Sequence, residues 1–189
     1  MKKLCKFGIF NIDPGWNCGL AVVSLDGPKP KVVYLDTLPT KPSGKKSGLL
    51  KADDDWRRGS EVWDWLQEAA DQVEQVVAVF IESTQGGKGS RALYSMGYNK
   101  SLADNFARHL GAPAFHVSAQ AVKKAATGKT NATKVQVQAA MIERVPHMDW
   151  SKFNKNTIEH AADACAIFLA GWKLPELQAF MRLVHVEER

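Results

Sequence analysis

Cysteine is scarce and badly spaced for pairing: Cys5, Cys18 and Cys165 are the only three in 189 residues, and no CxxC occurs. Such a set supports neither a disulfide framework nor a structural zinc site, and it fits a reducing cytoplasm. Long apolar runs are missing too. No stretch of about 18 apolar residues occurs, and Lys2, Lys3 and Lys6 are followed by no long apolar run before Asn11 and Asp13, so neither a membrane span nor a signal peptide is expected. There is no internal repeat and no Asp-Gly-Gly phosphate loop. What is present is ordinary for a globular chain: 45% apolar and 24% charged residues, at a length that suits one domain over residues 1–189.

The formal net charge is +5, and the positive residues bunch at Lys2, Lys3 and Lys6, at Lys41, Lys45, Lys46 and Lys51, at Arg57 and Arg58, and at Lys123, Lys124, Lys129 and Lys134. A basic excess favours a polyanionic partner through counterion release, although basic proteins that bind no nucleic acid are common.

Residues 7–13 form a short apolar run stopped by Pro14-Gly15, and residues 19–25 and 31–38 read as two further strands. Strands this close in sequence predict an antiparallel meander. Residues 39–54 carry four lysines without periodicity and predict a mobile basic loop. Helical spacing of Trp56, Val62, Trp63, Leu66, Ala69, Ala70 and Val73 predicts a helix over 55–75, with a strand over 76–82. A glycine-rich basic loop over 83–91 and a helix over 92–110 come next. A strand over 114–117 leads to Ser118, a good N-cap for a helix through 126. Helices over 133–144, 157–172 and 176–185 complete the chain; the last is amphipathic and could cover the core or meet a partner. The fold class is α/β, a central mixed five-stranded sheet flanked by helices. An opening meander argues against a Rossmann fold.

Four side chains stand where an unpaired charge is costly: Asp13 and Glu82 at the ends of apolar strands, and His160 and Asp163 on an apolar helix. Removing a carboxylate from water costs on the order of several kcal/mol unless positive charge replaces the solvent, and no Lys or Arg is near in sequence. A divalent ion is the economical explanation. Each residue taken singly has an ordinary alternative: Asp13 as a turn starter, Glu82 as a solvated strand end, His160 as a hydrogen-bonded structural imidazole. Asp163 is the only charged residue between Ala161 and Trp172, which implies burial against the sheet, and His160 lies three residues earlier on the same side of the helix. Glu159 could also reach the site and ranks below His160. An acidic centre within a positive surface suits a metal-dependent nuclease. The loop Gly86-Gly87-Lys88-Gly89 either lets backbone approach a phosphate or is simply flexible.

Together, Ile12-Asp13-Pro14-Gly15 followed by Gly19-Leu-Ala-Val-Val, Phe80-Ile81-Glu82, and Glu159-His160-Ala-Ala-Asp163-Ala resemble the RuvC-type Holliday-junction resolvases of the RNase H and integrase superfamily. The segment from Val122-Lys123-Lys124 through Gly128 to Lys134 resembles the stretch bearing the family's active-site and DNA-contacting lysines, which fall on Lys123 and Lys134. The resemblance implies an RNase H-like fold and hydrolysis of a phosphodiester by two Mg²⁺ ions, with Mn²⁺ as substitute. It assigns Asp13 as bridging ligand, Glu82 on one side, and His160 with Asp163 on the other. Lys88, Arg91, Lys123, Lys124, Lys129 and Lys134 become candidate contacts to branched DNA, with Lys134 also catalytic. Symmetric resolution of a four-way junction needs two cuts and implies a homodimer. Two departures resemble phage-borne relatives and argue against strict junction and sequence specificity: no aromatic residue follows Glu82 until Tyr94, and the basic loop over 39–54 is long. Competing expectations are a junction-binding protein without catalysis and an ATP-binding protein of the sugar-kinase and actin fold, which the missing second phosphate loop disfavours.

Overall fold

The computed structural model describes residues 3–83 and 89–187. Strands β1 (Cys5–Asp13), β2 (Asn17–Ser24) and β3 (Lys31–Pro39) form the expected antiparallel meander. Helix α1 (Lys51–Ala70) then crosses over to β4 (Val73–Ser83), which lies parallel to β1 on its free side. Helix α2 (Ser90–His109) leads to β5 (Ala114–Ser118), parallel to β4, so the sheet order is β3-β2-β1-β4-β5. This is the mixed five-stranded sheet of an RNase H-like fold. The chain ends in α3 (Ala119–Thr127), α4 (Lys134–Arg144), α5 (Ile158–Gly171) and α6 (Pro175–Glu187). Among the described residues no helix is long and apolar enough to cross a membrane.

The central strands are apolar on both faces because each face carries its own core. Phe10, Ile12, Val79 and Ile81 pack with α1 and α2 through Val62, Leu66, Ala103 and Phe106. The alternate residues Ile9, Ala78 and Phe80 pack with α3 to α6. Within that second layer α5 is buried on nearly every side, as its apolar sequence implies: Ala161, Ala162, Ala164, Cys165, Ala166 and Ile167 are all buried. Their small size lets the helix nest between the sheet and the covering α3 and α4. Leu177 of α6 is fully buried in the same core, so the terminal helix covers the core.

Several boundaries differ from the sequence expectation. Helix α1 starts at Lys51, four residues earlier, and a 3-10 turn occupies Lys45–Ser47, so the irregular basic loop is shorter than 39–54. Asp53 and Asp54 in the first turn favour a helix N-terminus, and Asp54 accepts the Ser43 amide and the Arg57 guanidinium. The helix also stops earlier, at Ala70, because Val73 pairs beside Cys5 as the first residue of β4. At the β3 edge of the sheet, His147 Nε2 donates to the Val32 carbonyl at 2.8 Å and Lys152 Nζ to the Leu35 carbonyl at 2.6 Å.

Candidate active site

Asp13 is the last residue of β1, and Glu82 the last but one of β4. Ile12 stands beside Ile81 in the parallel ladder, so the two acids occupy the next step along neighbouring strands, on the face that α5 covers. Directly across the antiparallel pair from Asp13 is Gly19. A Cβ there would lie 2.2 Å from the His160 carbonyl oxygen. The missing side chain lets the first turn of α5 close onto β2, and His160 Nδ1 then donates to Asp13 Oδ2 at 2.7 Å. The other ring nitrogen, Nε2, is 3.6 Å from Glu159 Oε1. That same oxygen accepts from Lys134 Nζ at 2.9 Å. Lys134 is the first residue of α4, whose start is fixed by a reciprocal capping box between Thr133 and Gln136.

The other candidate residues divide. Lys123 is half-buried on α3, and its charge reaches Glu82. Lys124 on α3 and Lys129 beyond it are exposed. Arg91 lies in the first turn of α2, where the loop was expected to continue, and its guanidinium pairs at 2.6 Å with the buried carboxylate of Asp55. It is therefore engaged with α1, with its side chain still 45% exposed. Lys88 and the glycine-rich stretch before Gly89 lie outside the described residues. Sequence reasoning missed the pairing of Glu159 with Lys134. It also missed the polar knot of Asp54, Asp55 and Arg58 near the start of α1, where Arg58 lies 4.1 Å over the Trp16 ring and donates to Thr40. The run Asp53-Asp54-Asp55 inside a basic segment was the available signal.

The model of the family described as crossover junction endodeoxyribonuclease RuvC matches residues 9–170. The chain belongs to the RuvC family. The solved structure of Thermus thermophilus RuvC in complex with a Holliday junction substrate is similar, at 22% identity and a TM-score of 0.63, covering 86% of this chain and 91% of that one. A second Thermus thermophilus RuvC structure gives 22% identity and a TM-score of 0.60, with 86% and 92% covered. The yeast mitochondrial Holliday junction resolvase Ydc2 shares the fold at 12% identity and a TM-score of 0.54, with 91% and 79% covered. No curated protein matches the chain by sequence.

In this RuvC-family site burial of Glu82 and Asp163 outweighs the nearby positive charges of Lys123, Lys134 and His160. Burial, reinforced by the charges of Asp13 and Asp163, pushes the Glu82 carboxyl up to about 8. Burial and the Asp13 charge push Asp163 up to about 7. Burial alone would lower the His160 imidazole, but the hydrogen bond and charge of Asp13, with Glu159 beyond, hold it above its ordinary value. Among the described residues no three His, Cys, Asp or Glu side chains already stand grouped as a metal shell. Asp13 is engaged with His160, and the charges of Lys123 and Lys134 near Glu82, and of Lys134 and His160 near Asp163, only partly offset burial. The donor set nevertheless fits a hard divalent ion: three carboxylates and one imidazole, with the pKa of two of the carboxyls raised by burial.

A pH dependence follows. Glu82 and Asp163 bind their protons more tightly folded than unfolded, so their contribution to stability is full below the ordinary carboxylate range. It is lost as pH rises through about 7 to 8. Metal-free protein should lose on the order of a few kcal/mol between pH 5 and pH 9 from these two groups together. Urea unfolding across that range checks it. Glu82→Gln should flatten the profile and stabilise the protein at the alkaline end; an unchanged profile would contradict the burial of an ionisable Glu82.

Proposed function

We propose that this protein is a Mg²⁺-dependent endodeoxyribonuclease that cleaves Holliday junctions, with forks and flaps as further candidate substrates, and that residues 1–189 act as one nuclease domain. The observation that carries the reading is the contact of Asp13 with His160, 147 residues apart in sequence, beside two carboxyls whose pKa is raised by burial and by the Asp13 charge. Within a family of junction endonucleases, carboxyls whose protonation is shifted by burial and by a neighbouring carboxylate mark a candidate metal site.

The residues that would hold the metal are Asp13, Glu82, His160 and Asp163. When bound, Mg²⁺, or Mn²⁺ in its place, supplies Lewis acidity to the attacking water and to the departing 3′ oxygen. The chain's own groups do the rest. Glu82 and Asp163, their pKa raised by burial and the Asp13 charge, would serve as ligands in their deprotonated form. His160 orients the Asp13 carboxylate through its hydrogen bond at 2.7 Å. Lys134 and Lys123 set positive charge against the phosphate oxygens, where negative charge grows. Lys124 and Lys129, both exposed, add sequence-independent hold on the backbone.

Incubating an end-labelled four-way junction with and without Mg²⁺ is the deciding experiment. Paired incisions in strands of like polarity are expected only with metal, and binding is expected in both cases. Binding without incision under either condition would make the protein a junction-binding module instead. Two symmetric cuts need two sites, so we take the active species to be a homodimer, and sedimentation with DNA that shows only monomer counts against that.

A further inference from the structure

Lys134 has an anchored backbone and an unanchored head. Its side chain is 62% exposed, and the capping box fixes only the backbone from which it springs. A four-carbon stem with so little packing samples many rotamers, and only a specific partner can give the ammonium a direction. Among the described residues Glu159 is the hydrogen-bond partner of that ammonium, at 2.9 Å. The same Oε1 stands 3.6 Å from Nε2 of the imidazole that holds Asp13. Asp13, His160, Glu159 and Lys134 thus form a chain from β1 to the start of α4, in which acidic and basic side chains alternate.

We propose that Glu159 is a positioning residue, whose carboxylate aims the Lys134 ammonium at the acidic centre and backs the far side of the His160 ring. The inference rests on the reading of Lys134 as part of a nuclease site. Two features set Glu159 apart from the proposed ligands. Its charge is already matched by Lys134, and its side chain is 31% exposed while that of Asp13 is 17% exposed. An ion pair this open contributes little to stability. Its effect lies in orientation, since a charge directed at the reacting phosphate must be placed before the reaction begins.

The test compares Glu159→Ala and Lys134→Ala with the double variant. Glu159→Ala should lower kcat on a labelled junction by roughly 10- to 100-fold, the usual loss when a supporting group is removed. Junction KM should stay the same or fall, because a negative charge has left the DNA-facing surface. The double variant should be no slower than Lys134→Ala alone. Unfolding midpoints should not move, which separates the role from a structural one. Brief acetic anhydride labelling of metal-free, DNA-free protein, read by mass spectrometry, should modify Lys134 several-fold faster in Glu159→Ala. Additive losses in the double variant, unchanged labelling, or a loss of Mg²⁺ affinity as large as that in Asp13→Asn would each overturn the proposal. Should wild-type protein cut no junction at all, the nuclease reading falls, and the labelling distinguishes that failure because it depends on the contact alone.

Discussion

Asp13→Asn is expected to lower junction cleavage by about 10³-fold or more, the scale seen when a group acting as part of a catalytic unit is removed. Binding of the same junction should persist within a few-fold. Asparagine keeps the shape of the side chain and an oxygen able to accept from His160 Nδ1, so the contact at 2.7 Å can survive while the charge does not. The strand is undisturbed, because the backbone of Asp13 stays paired with Gly19. Denaturing gels of product and mobility shifts of bound junction measure the two quantities on one preparation. Glu82→Gln and Asp163→Asn should lose cleavage in the same way. Cleavage at the parental rate by the Asp13→Asn protein would end the metal-nuclease reading.

Gly19→Ala should be nearly as damaging, though the residue carries no chemistry. The new methyl group would sit 2.2 Å from the His160 carbonyl oxygen and 2.8 Å from its carbonyl carbon. Backbone in a helix start cannot swing aside as the tip of a flexible side chain can. The first turn of α5 must lift from β2, taking His160, Glu159 and Asp163 with it. Overpacking of this kind costs about 1–3 kcal/mol, and a displacement of about 1 Å at a reacting centre costs on the order of 100-fold in rate. Thermal unfolding together with single-turnover cleavage reads both. Gly27→Ala is the control: a Cβ at Gly27 meets nothing nearer than the Lys29 carbonyl oxygen at 3.8 Å, so stability and rate should stay close to the parent. An undiminished rate in Gly19→Ala would mean that the close approach of α5 is not needed.

Much of this architecture was legible in the residues because local signals and tertiary needs agreed. The meander announced itself by three β-rich runs separated by turn residues, and Ser118 caps α3 through the Ala121 amide as its position suggested. Asp13, Glu82 and Asp163 were visible because each interrupts an apolar segment, a conflict that only tertiary structure resolves. Helix ends were less legible. Val73 fits the apolar spacing of α1, but strand pairing beside Cys5 claims it, and no periodicity reveals where one ladder takes over from a helix. Glu159 was ranked low because adjacency in sequence says nothing about Lys134, 25 residues earlier, being brought to its oxygen. Gly19 read simply as a strand residue, since the atom that forbids a side chain there belongs to a helix starting far along the chain.

The bonds from His147 and Lys152 onto β3 have a bearing on self-association. An outer strand with free carbonyls is a template on which another chain can lay a strand, and that route leads to fibrils. Here the Val32 and Leu35 carbonyls are already taken by side chains from the segment between α4 and α5. A strand arriving at that edge must displace both bonds, so crowded copies are guarded against this form of aggregation by the same segment that carries the chain into α5.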